Sequence, residues 1–231
     1  MAHRLRLAGW TGIAVLAVAS TAMGHQLIAV GEAFPSAAEA LHLEGVDVSQ
    51  VAYADLASGA RRLWLTFEAD APCTLHVSLG VPVLERLRGF RPVLAVLGEG
   101  LAPVALPVPV PEGYGGVVLP TAGIATPEPF HEPFTRTDSW ILLDVDVELP
   151  SAGRHYIVAY PEGEEEGKLW VAVGTRERFG IRDLLAFPSV TREVRLFHEQ
   201  VHRPLARTWE ALIVASIFGL ALSVLVFLIG Q

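Results

Sequence analysis

The chain has 231 residues, of which 52% are hydrophobic, and it carries a formal net charge of −8 at pH 7. This acidic balance argues against nucleic acid as a partner, because binding to phosphates requires a basic surface. The single cysteine, Cys73, excludes an intrachain disulfide and a cysteine-based zinc site.

A short basic start followed by an apolar segment opens the chain. Arg4 and Arg6 precede the stretch Leu7–Gly24, which ends in small residues. This order is typical of a secretory signal. We therefore predict a signal peptide over residues 1–24 and a mature chain that begins at His25. An uncleaved signal anchor is the alternative, because the segment approaches the ~20 residues that a membrane span needs.

The middle of the chain alternates between apolar and polar residues. The alternation runs over residues 63–67, 73–79 and 141–149. A period of two predicts β-strands with one buried face. In the last of these strands the predicted solvent face carries only acidic residues, namely Asp144, Asp146 and Glu148.

Two apolar runs follow, over residues 155–160 and 168–173, with an acidic segment at 161–167 between them. We interpret them as a hairpin with a charged tip. With the turn at 150–153, they predict three consecutive antiparallel strands. Short strands separated by glycine and proline indicate a mainly β fold, an antiparallel, jelly-roll-like β-sandwich over residues 25–188.

Two proline-rich segments interrupt the strands. Residues 102–113 hold four prolines, and residues 127–133 hold three. Because proline cannot donate a hydrogen bond to a sheet, we expect edge strands or loops there. Extended loops on a rigid scaffold are where binding sites are commonly built.

Three stretches of the second half of the domain carry a resemblance, Glu132–Thr135, Leu149–Val158 and Leu169–Gly174. They resemble the bacterial β-sandwich of the pre-peptidase C-terminal type. They also resemble a group of uncharacterised prokaryotic single-pass membrane proteins. The resemblance implies a β-sandwich fold and a module that accompanies other activities as a binding or stabilising domain.

One motif has the form of a catalytic site. In His198-Glu199-Gln200-Val201-His202 the two histidines are four residues apart, the spacing with which a helix presents two zinc ligands, and Glu199 would activate water. A helix from an N-cap at Ser189 to His202 would supply that geometry. Against zinc stand the lack of a downstream third ligand and Pro204, two residues after the motif.

Two weaker metal hypotheses remain open. The acidic face at residues 144–148 is a candidate for calcium, which takes carboxylate oxygens, although charged runs are usually solvated faces. An N-terminal His25 is a candidate copper ligand together with His76 or His131, because imidazole suits copper.

An apolar segment closes the chain. Ala211–Ile229 contains no ionisable residue over a length that crosses a hydrocarbon core of ~30 Å. We predict a juxtamembrane helix over residues 189–208 and a transmembrane helix over residues 209–230. Arg203 and Arg207 precede the span, and their charge alone favours a cytoplasmic domain. The N-terminal signal favours the opposite orientation, and we give it the greater weight.

The sequence therefore predicts a single-pass protein of the cell membrane whose main domain lies outside the cytoplasm. Its expected function is a binding or accessory module without catalysis or a cofactor. Expected partners are the membrane and another membrane or secreted protein, with no nucleic acid. The alternative is a zinc-dependent hydrolase that uses His198, Glu199 and His202.

Overall fold

The computed structural model describes residues 26–31, 34–56, 61–176, 178 and 181–200. The predicted signal peptide, His25, His202 and the predicted transmembrane helix lie outside the described residues. The chain divides into two compact units, residues 1–198 and 199–231. The strands and the helix that follow belong to the first unit. Within the described part, no helix is long and apolar enough to cross a membrane.

The described residues form eleven strands and one α-helix. The strands are β1 (Gln26–Val30), β2 (Leu41–His42), β3 (Gln50–Asp55), β4 (Leu63–Ala69), β5 (Cys73–Pro82), β6 (Val93–Gly98), β7 (Gly115–Leu119), β8 (Glu128–Glu132), β9 (Thr137–Leu149), β10 (Gly153–Tyr160) and β11 (Lys168–Val173). The helix is α1 (Ile181–Phe197).

The strands form two sheets. Sheet A has the order β1-β3-β11-β5-β9-β8, and sheet B has the order β2-β4-β10-β6-β7. The pairs β1–β3 and β2–β4 are parallel, and the other pairs are antiparallel. The prediction of a mainly β, two-sheet sandwich is confirmed.

The core lies between the sheets, on the apolar face that the alternation predicts. In β4, Leu65 and Phe67 point into the core, while Trp64 packs on the outer side of sheet B. In β9, Val147 and Leu149 are buried between acidic residues that are exposed. The period of two is therefore confirmed in both sheets.

The predicted hairpin over residues 155–173 is wrong. β10 lies in sheet B between β4 and β6, whereas β11 lies in sheet A between β3 and β5. The turn after β9 also crosses from sheet A to sheet B. The three consecutive strands thus alternate between the sheets, because each buries its apolar face against the opposite sheet rather than pairing with its neighbour in sequence.

Helix α1 packs on the outer face of sheet A. Val194 and Phe197 contact Val51, Tyr53 and Trp170 of the sheet. The helix begins at Ile181 and ends at Phe197, so the predicted bounds of 189–202 differ at both ends. The predicted N-cap, Ser189, lies inside the helix, where its Oγ donates to the carbonyl of Ala186 at 2.7 Å. The preceding Pro188, which suggested a boundary, is also inside the helix.

The first proline-rich segment covers the outer face of sheet B. Val104, Leu106, Val108 and Val110 of this segment pack with Trp64, Val93, Tyr156 and Tyr160 of the sheet. The second forms the edge strand β8 of sheet A. The prediction of edges or loops at the prolines is confirmed.

Candidate functional site

His198 lies in a buried chain of hydrogen bonds that joins the end of α1 to sheet A. Its Nδ1–H donates to the carbonyl of Val194 at 2.8 Å. Its Nε2 accepts from Oγ of Ser139 at 3.2 Å, and that Oγ accepts from Nε1–H of Trp170 at 3.0 Å. Because a carbonyl cannot donate, the proton of the neutral ring is on Nδ1. Both ring nitrogens are thus occupied by protein groups.

The environment of His198 favours its neutral form. The pKa of His198 is lowered to about 4, chiefly by burial. The hydrogen bond to the Val194 carbonyl opposes this change, the charge of Lys168 adds to it, and the Asp138 carboxylate opposes it. A buried charged imidazole would lose its hydration without gaining a paired anion. At neutral pH His198 is therefore an uncharged structural group.

The contact between Ser139 and His198 is also the pairing that activates a serine nucleophile. Ser139 is only 4% exposed and His198 only 5%. Nε1–H of Trp170 donates to Oγ of Ser139. This hydrogen bond occupies a lone pair of the oxygen that would have to attack and so makes it less nucleophilic. The pair lies beneath the helix, where a substrate carbonyl has no route to the hydroxyl oxygen, so it holds the fold together rather than offering a nucleophile.

Further contacts secure the last turn of the helix. Nζ of Lys168 donates to the carbonyl of Phe197 at 3.0 Å and lies 5.2 Å from the centre of its ring. Nε of Arg195 donates to the carbonyl of Thr135 at 2.7 Å. A cation at a helix C-terminus also complements the helix dipole. We call the five side chains that make these bonds the helix-end clamp: Ser139, Lys168, Trp170, Arg195 and His198.

The motif does not continue the helix. Helix α1 ends at Phe197, and Glu199 has a φ of 56°, in the left-handed region. A non-glycine residue in that region interrupts right-handed helix. His198 and Glu199 therefore lie in a turn, and the predicted helical geometry of the motif is wrong for the part that is described.

Tyr53 and Glu132 lie close to the helix-end clamp. The Tyr53 ring packs edge-on against Phe197 and His198, with centroid distances of 5.1 and 5.8 Å. Burial raises the pKa of Tyr53, and the charge of Glu132 adds to this. Burial also raises the pKa of Glu132, against the effect of the N–H of Phe134, which donates to its carboxylate.

The acidic face proposed for calcium forms an ordered row on the outer side of sheet A. His76 lies between two carboxylates, with Nε2 3.1 Å from Asp144 and Nδ1 2.9 Å from Asp146. Ser78 donates to Asp144 at 2.6 Å, and Thr74 donates to Glu148 at 2.8 Å. One oxygen of each of these three carboxylates is thus already hydrogen-bonded or ion-paired within the sheet.

The other histidine proposed for copper, His131, also faces a carboxylate. Its Nδ1 lies 2.7 Å from Oδ1 of Asp138 on the neighbouring strand, and both side chains are more than half exposed. Among the described residues, no group of three His, Cys, Asp or Glu side chains is arranged to hold a metal ion.

A cleft of about 680 Å³ opens on the outer face of sheet B. Val93, Val108 and Tyr160 contribute apolar surface to it, and Val118, which is 38% exposed, borders it. Its charged residues are two arginines before β4 and two glutamates after β10, namely Arg61, Arg62, Glu162 and Glu164. Apolar surface with a few charged groups is the usual composition of a binding pocket.

Sequence reasoning missed this cleft, and it also missed that His155 is buried between the sheets. His155 lies between the sheets with no exposed surface and stacks on Phe67 at 5.4 Å. Nδ1–H donates to the Gly153 carbonyl at 3.0 Å, and Nε2 has no hydrogen-bond partner in the part of the chain that the structure describes. A Cβ on Gly98 would lie 2.3 Å from this ring. The continuous apolar run over residues 155–160 predicts a strand that is buried on both faces, but it does not show which face His155 occupies.

No protein-family model matches the chain, and no curated protein matches it. Among solved structures, the chain is similar to the pre-peptidase C-terminal domain of collagenase from Bacillus anthracis. The sequence identity is 11%, the likeness covers 64% of this chain and 92% of that one, and the TM-score is 0.27. A TM-score this low carries no argument about function, and the two-sheet architecture rests on the strand pairing itself.

Proposed function

We propose that the protein is a membrane-anchored, extracytoplasmic binding or accessory module without catalytic activity of its own, and that it binds its partner at the cleft on sheet B. The observation that supports the binding site most strongly is the composition of this cleft. It combines apolar side chains with two arginines and two glutamates, on a sheet whose strands are held by regular pairing. A rigid scaffold that presents charged loop residues suits recognition.

The anchored and exported parts of this proposal are supported by the two apolar segments of the sequence, Leu7–Gly24 and Ala211–Ile229. Protease accessibility tests the orientation. In intact cells with a permeable outer layer, we expect added protease to cut the domain. A domain that is cut only after the membrane itself is lysed would contradict export.

Zinc hydrolysis by His198, Glu199 and His202 remains the alternative function. For His198 to bind zinc through Nε2, the hydrogen bond from Ser139 would have to break. Metal analysis of the purified full chain separates the two functions. Stoichiometric zinc that is lost in a variant with His198→Ala and His202→Ala would favour the hydrolase, and zinc-free protein would favour the module.

Partner capture tests the proposed function directly. The full chain is cross-linked in native membranes, purified in detergent, and compared with the double variant Arg61→Ala, Arg62→Ala. Arg176→Ala is the control, because Arg176 is exposed, pairs with Asp47 at 2.7 Å and does not line the cleft. We expect a reproducible stoichiometric partner with the wild type and the control, and less of it with the double variant. A monomer without any partner would contradict the accessory function.

A further inference from the structure

The cleft on sheet B crosses the ends of four neighbouring strands. Arg61 and Arg62 immediately precede β4, Tyr160 ends β10, Val93 begins β6, and Val118 lies near the end of β7. These strands are consecutive in the sheet order β4-β10-β6-β7. With about 4.8 Å between strands, the cleft extends roughly 14 Å across the sheet. An extended chain rises about 3.4 Å per residue, so this length accommodates about four residues.

The charges divide this length into distinct parts. Arg61 and Arg62 lie at the β4 side, and within the described residues neither forms an ion pair; Arg62 only reaches the Pro107 carbonyl at 3.5 Å. A guanidinium group binds a carboxylate through two parallel hydrogen bonds. Glu162 and Glu164 follow β10, the next strand of the sheet. A bound anion therefore has its place at the β4 side, and a cation fits beside β10.

The rest of the cleft is apolar and poor in backbone donors. Val93 and Val118 line its far side, on β6 and β7. Pro107, Pro120 and Pro161 also line it, and proline has no N–H to donate. At those positions the backbone has a carbonyl oxygen and no donor. The Pro107 carbonyl already accepts from Arg62 at 3.5 Å, and the Pro161 carbonyl accepts from the N–H of Gly163 at 3.1 Å. A carbonyl oxygen has two lone pairs, so an N–H of an extended peptide complements the second one.

We infer that the cleft binds an extended peptide of about four or five residues, with a carboxylate at Arg61 and Arg62, a basic side chain beside Glu162 and Glu164, and an apolar side chain against Val118. This inference rests on the proposed binding function and adds the class of its ligand. A small anion alone would be repelled by the two glutamates, and a neutral sugar would leave both charged pairs without partners. A peptide supplies both charges and the apolar group in one chain.

An array of immobilised pentapeptides provides the test. The fluorescently labelled full chain in detergent is the probe protein, and each peptide is present both with a C-terminal amide and with a free carboxylate. We expect retained peptides to carry an acidic group at one end and Lys or Arg inside. The two forms show whether that acidic group is a side chain or the chain terminus.

Matched variants locate the binding. Affinities of the best pentapeptides are measured by fluorescence anisotropy. We expect Arg61→Ala, Arg62→Ala to weaken binding at least about tenfold, because a charge-assisted hydrogen-bond pair is lost. Glu162→Gln, Glu164→Gln should remove the preference for the internal basic residue, while Arg176→Ala leaves the affinity unchanged. All three variants should melt at the wild-type temperature.

Two results would overturn the inference: no pentapeptide that binds the wild type better than the arginine variant, or a charge preference that survives both cleft variants. These failures differ from failure of the proposed function. If native membranes still yield a stoichiometric partner that the arginine variant retains, the module binds elsewhere. If peptides bind the cleft but membranes yield no partner, the accessory function fails while the peptide site stands.

Discussion

The outer faces of the two sheets are both covered, but by different means. Helix α1 covers sheet A, and its last turn is held by the helix-end clamp. In this clamp Trp170 donates to Ser139, Ser139 donates to His198, and His198 donates to the carbonyl of Val194. The proline-rich segment covers sheet B mainly through apolar contacts and leaves a cleft of about 680 Å³. The four charged residues of this cleft form no ion pair with one another or with any other residue that the structure describes. We therefore interpret the outer face of sheet A as structural, and the proposed function places binding on the outer face of sheet B.

The largest expected effect comes from comparing Gly80, which is buried, with Gly116, which is half-buried. A Cβ on Gly80, beneath α1, would lie 2.3 Å from Cζ2 of Trp170 and 2.9 Å from the backbone oxygen of Trp140. A rigid indole and a strand backbone cannot yield, so Gly80→Ala should destabilise the fold by about 3 kcal/mol. Chemical denaturation monitored by circular dichroism measures this value.

Gly116→Ala is the matched change on sheet B. There the added Cβ would lie 2.7 Å from Cδ2 of Leu97 and 2.9 Å from Cγ1 of Val104, which are the ends of side chains, and 3.1 Å from the backbone oxygen of Val96. The two shortest contacts are thus to side-chain ends, and the backbone contact is longer than the one at Gly80. We expect a smaller loss, about 1 kcal/mol. Equal losses at Gly80 and Gly116 would mean that the two faces are packed alike and would remove the contrast between them.

Ser139→Ala tests the clamp itself. The substitution removes the side-chain partner of Nε1 of Trp170 and of Nε2 of His198, both of which are buried. Because buried polar groups without a hydrogen bond are destabilising, we expect the free energy of unfolding to fall by about 2 kcal/mol. Ser151→Ala is the control, because Ser151 is half-buried and its Oγ donates a solvent-exposed hydrogen bond to the carbonyl of Glu99 at 2.6 Å. Since water can replace that bond, the free energy of unfolding should change by less than about 0.5 kcal/mol. Indistinguishable unfolding curves for Ser139→Ala and wild type would show that the clamp carries no stability.

Lowering the pH should reduce the free energy of unfolding through His198, which lies on the same face. The pKa of His198 is lowered from 6.5 to about 4 in the folded chain. Between these values the unfolded chain takes up a proton that the folded chain does not. The His198 contribution is therefore present above pH 6.5 and is lost as the pH falls toward 4. From pH 7 to 5.5 we expect a loss of about 1 kcal/mol.

The free energy of unfolding is measured by chemical denaturation at each pH for the wild type and for His198→Gln, which lacks the titrating ring. Burial raises the pKa of nearby Glu132, which contributes a slope of opposite sign at lower pH, and Glu132 is present in both proteins. The difference between the two pH profiles isolates His198. Parallel profiles over this range would contradict the assignment of a neutral, buried imidazole.

The smallest effect is expected on sheet B. Arg61→Ala, Arg62→Ala removes two partly exposed side chains that form no ion pair among the described residues. Exposed charges contribute little to folding, so the free energy of unfolding should change by less than about 0.5 kcal/mol. A larger loss would mean that the arginines hold the fold and would argue against a role in binding.

Much of the sandwich could be predicted from the sequence, because the alternation in β4, β5 and β9 states which side of each strand is buried. The same alternation does not predict which sheet a strand joins. The prediction of a hairpin for β10 and β11 is therefore wrong, because the two strands lie in different sheets. For His198 the sequence predicts a juxtamembrane helix, with zinc binding as the alternative because the motif spacing suits zinc. Its buried hydrogen bonds depend on Ser139 and Trp170, which are distant in sequence. The cleft was missed because its lining comes from several separate segments.

The most direct test measures peptide affinity and melting temperature together on two variants. The peptide is the best binder from the array, and the variants are Ser139→Ala and Arg61→Ala, Arg62→Ala. We predict that Ser139→Ala lowers the melting temperature and, below that temperature, keeps the wild-type affinity, while the arginine variant keeps the melting temperature and loses the affinity. The reverse pattern, with binding lost at Ser139→Ala and retained without the two arginines, would contradict the division into a structural face and a binding face.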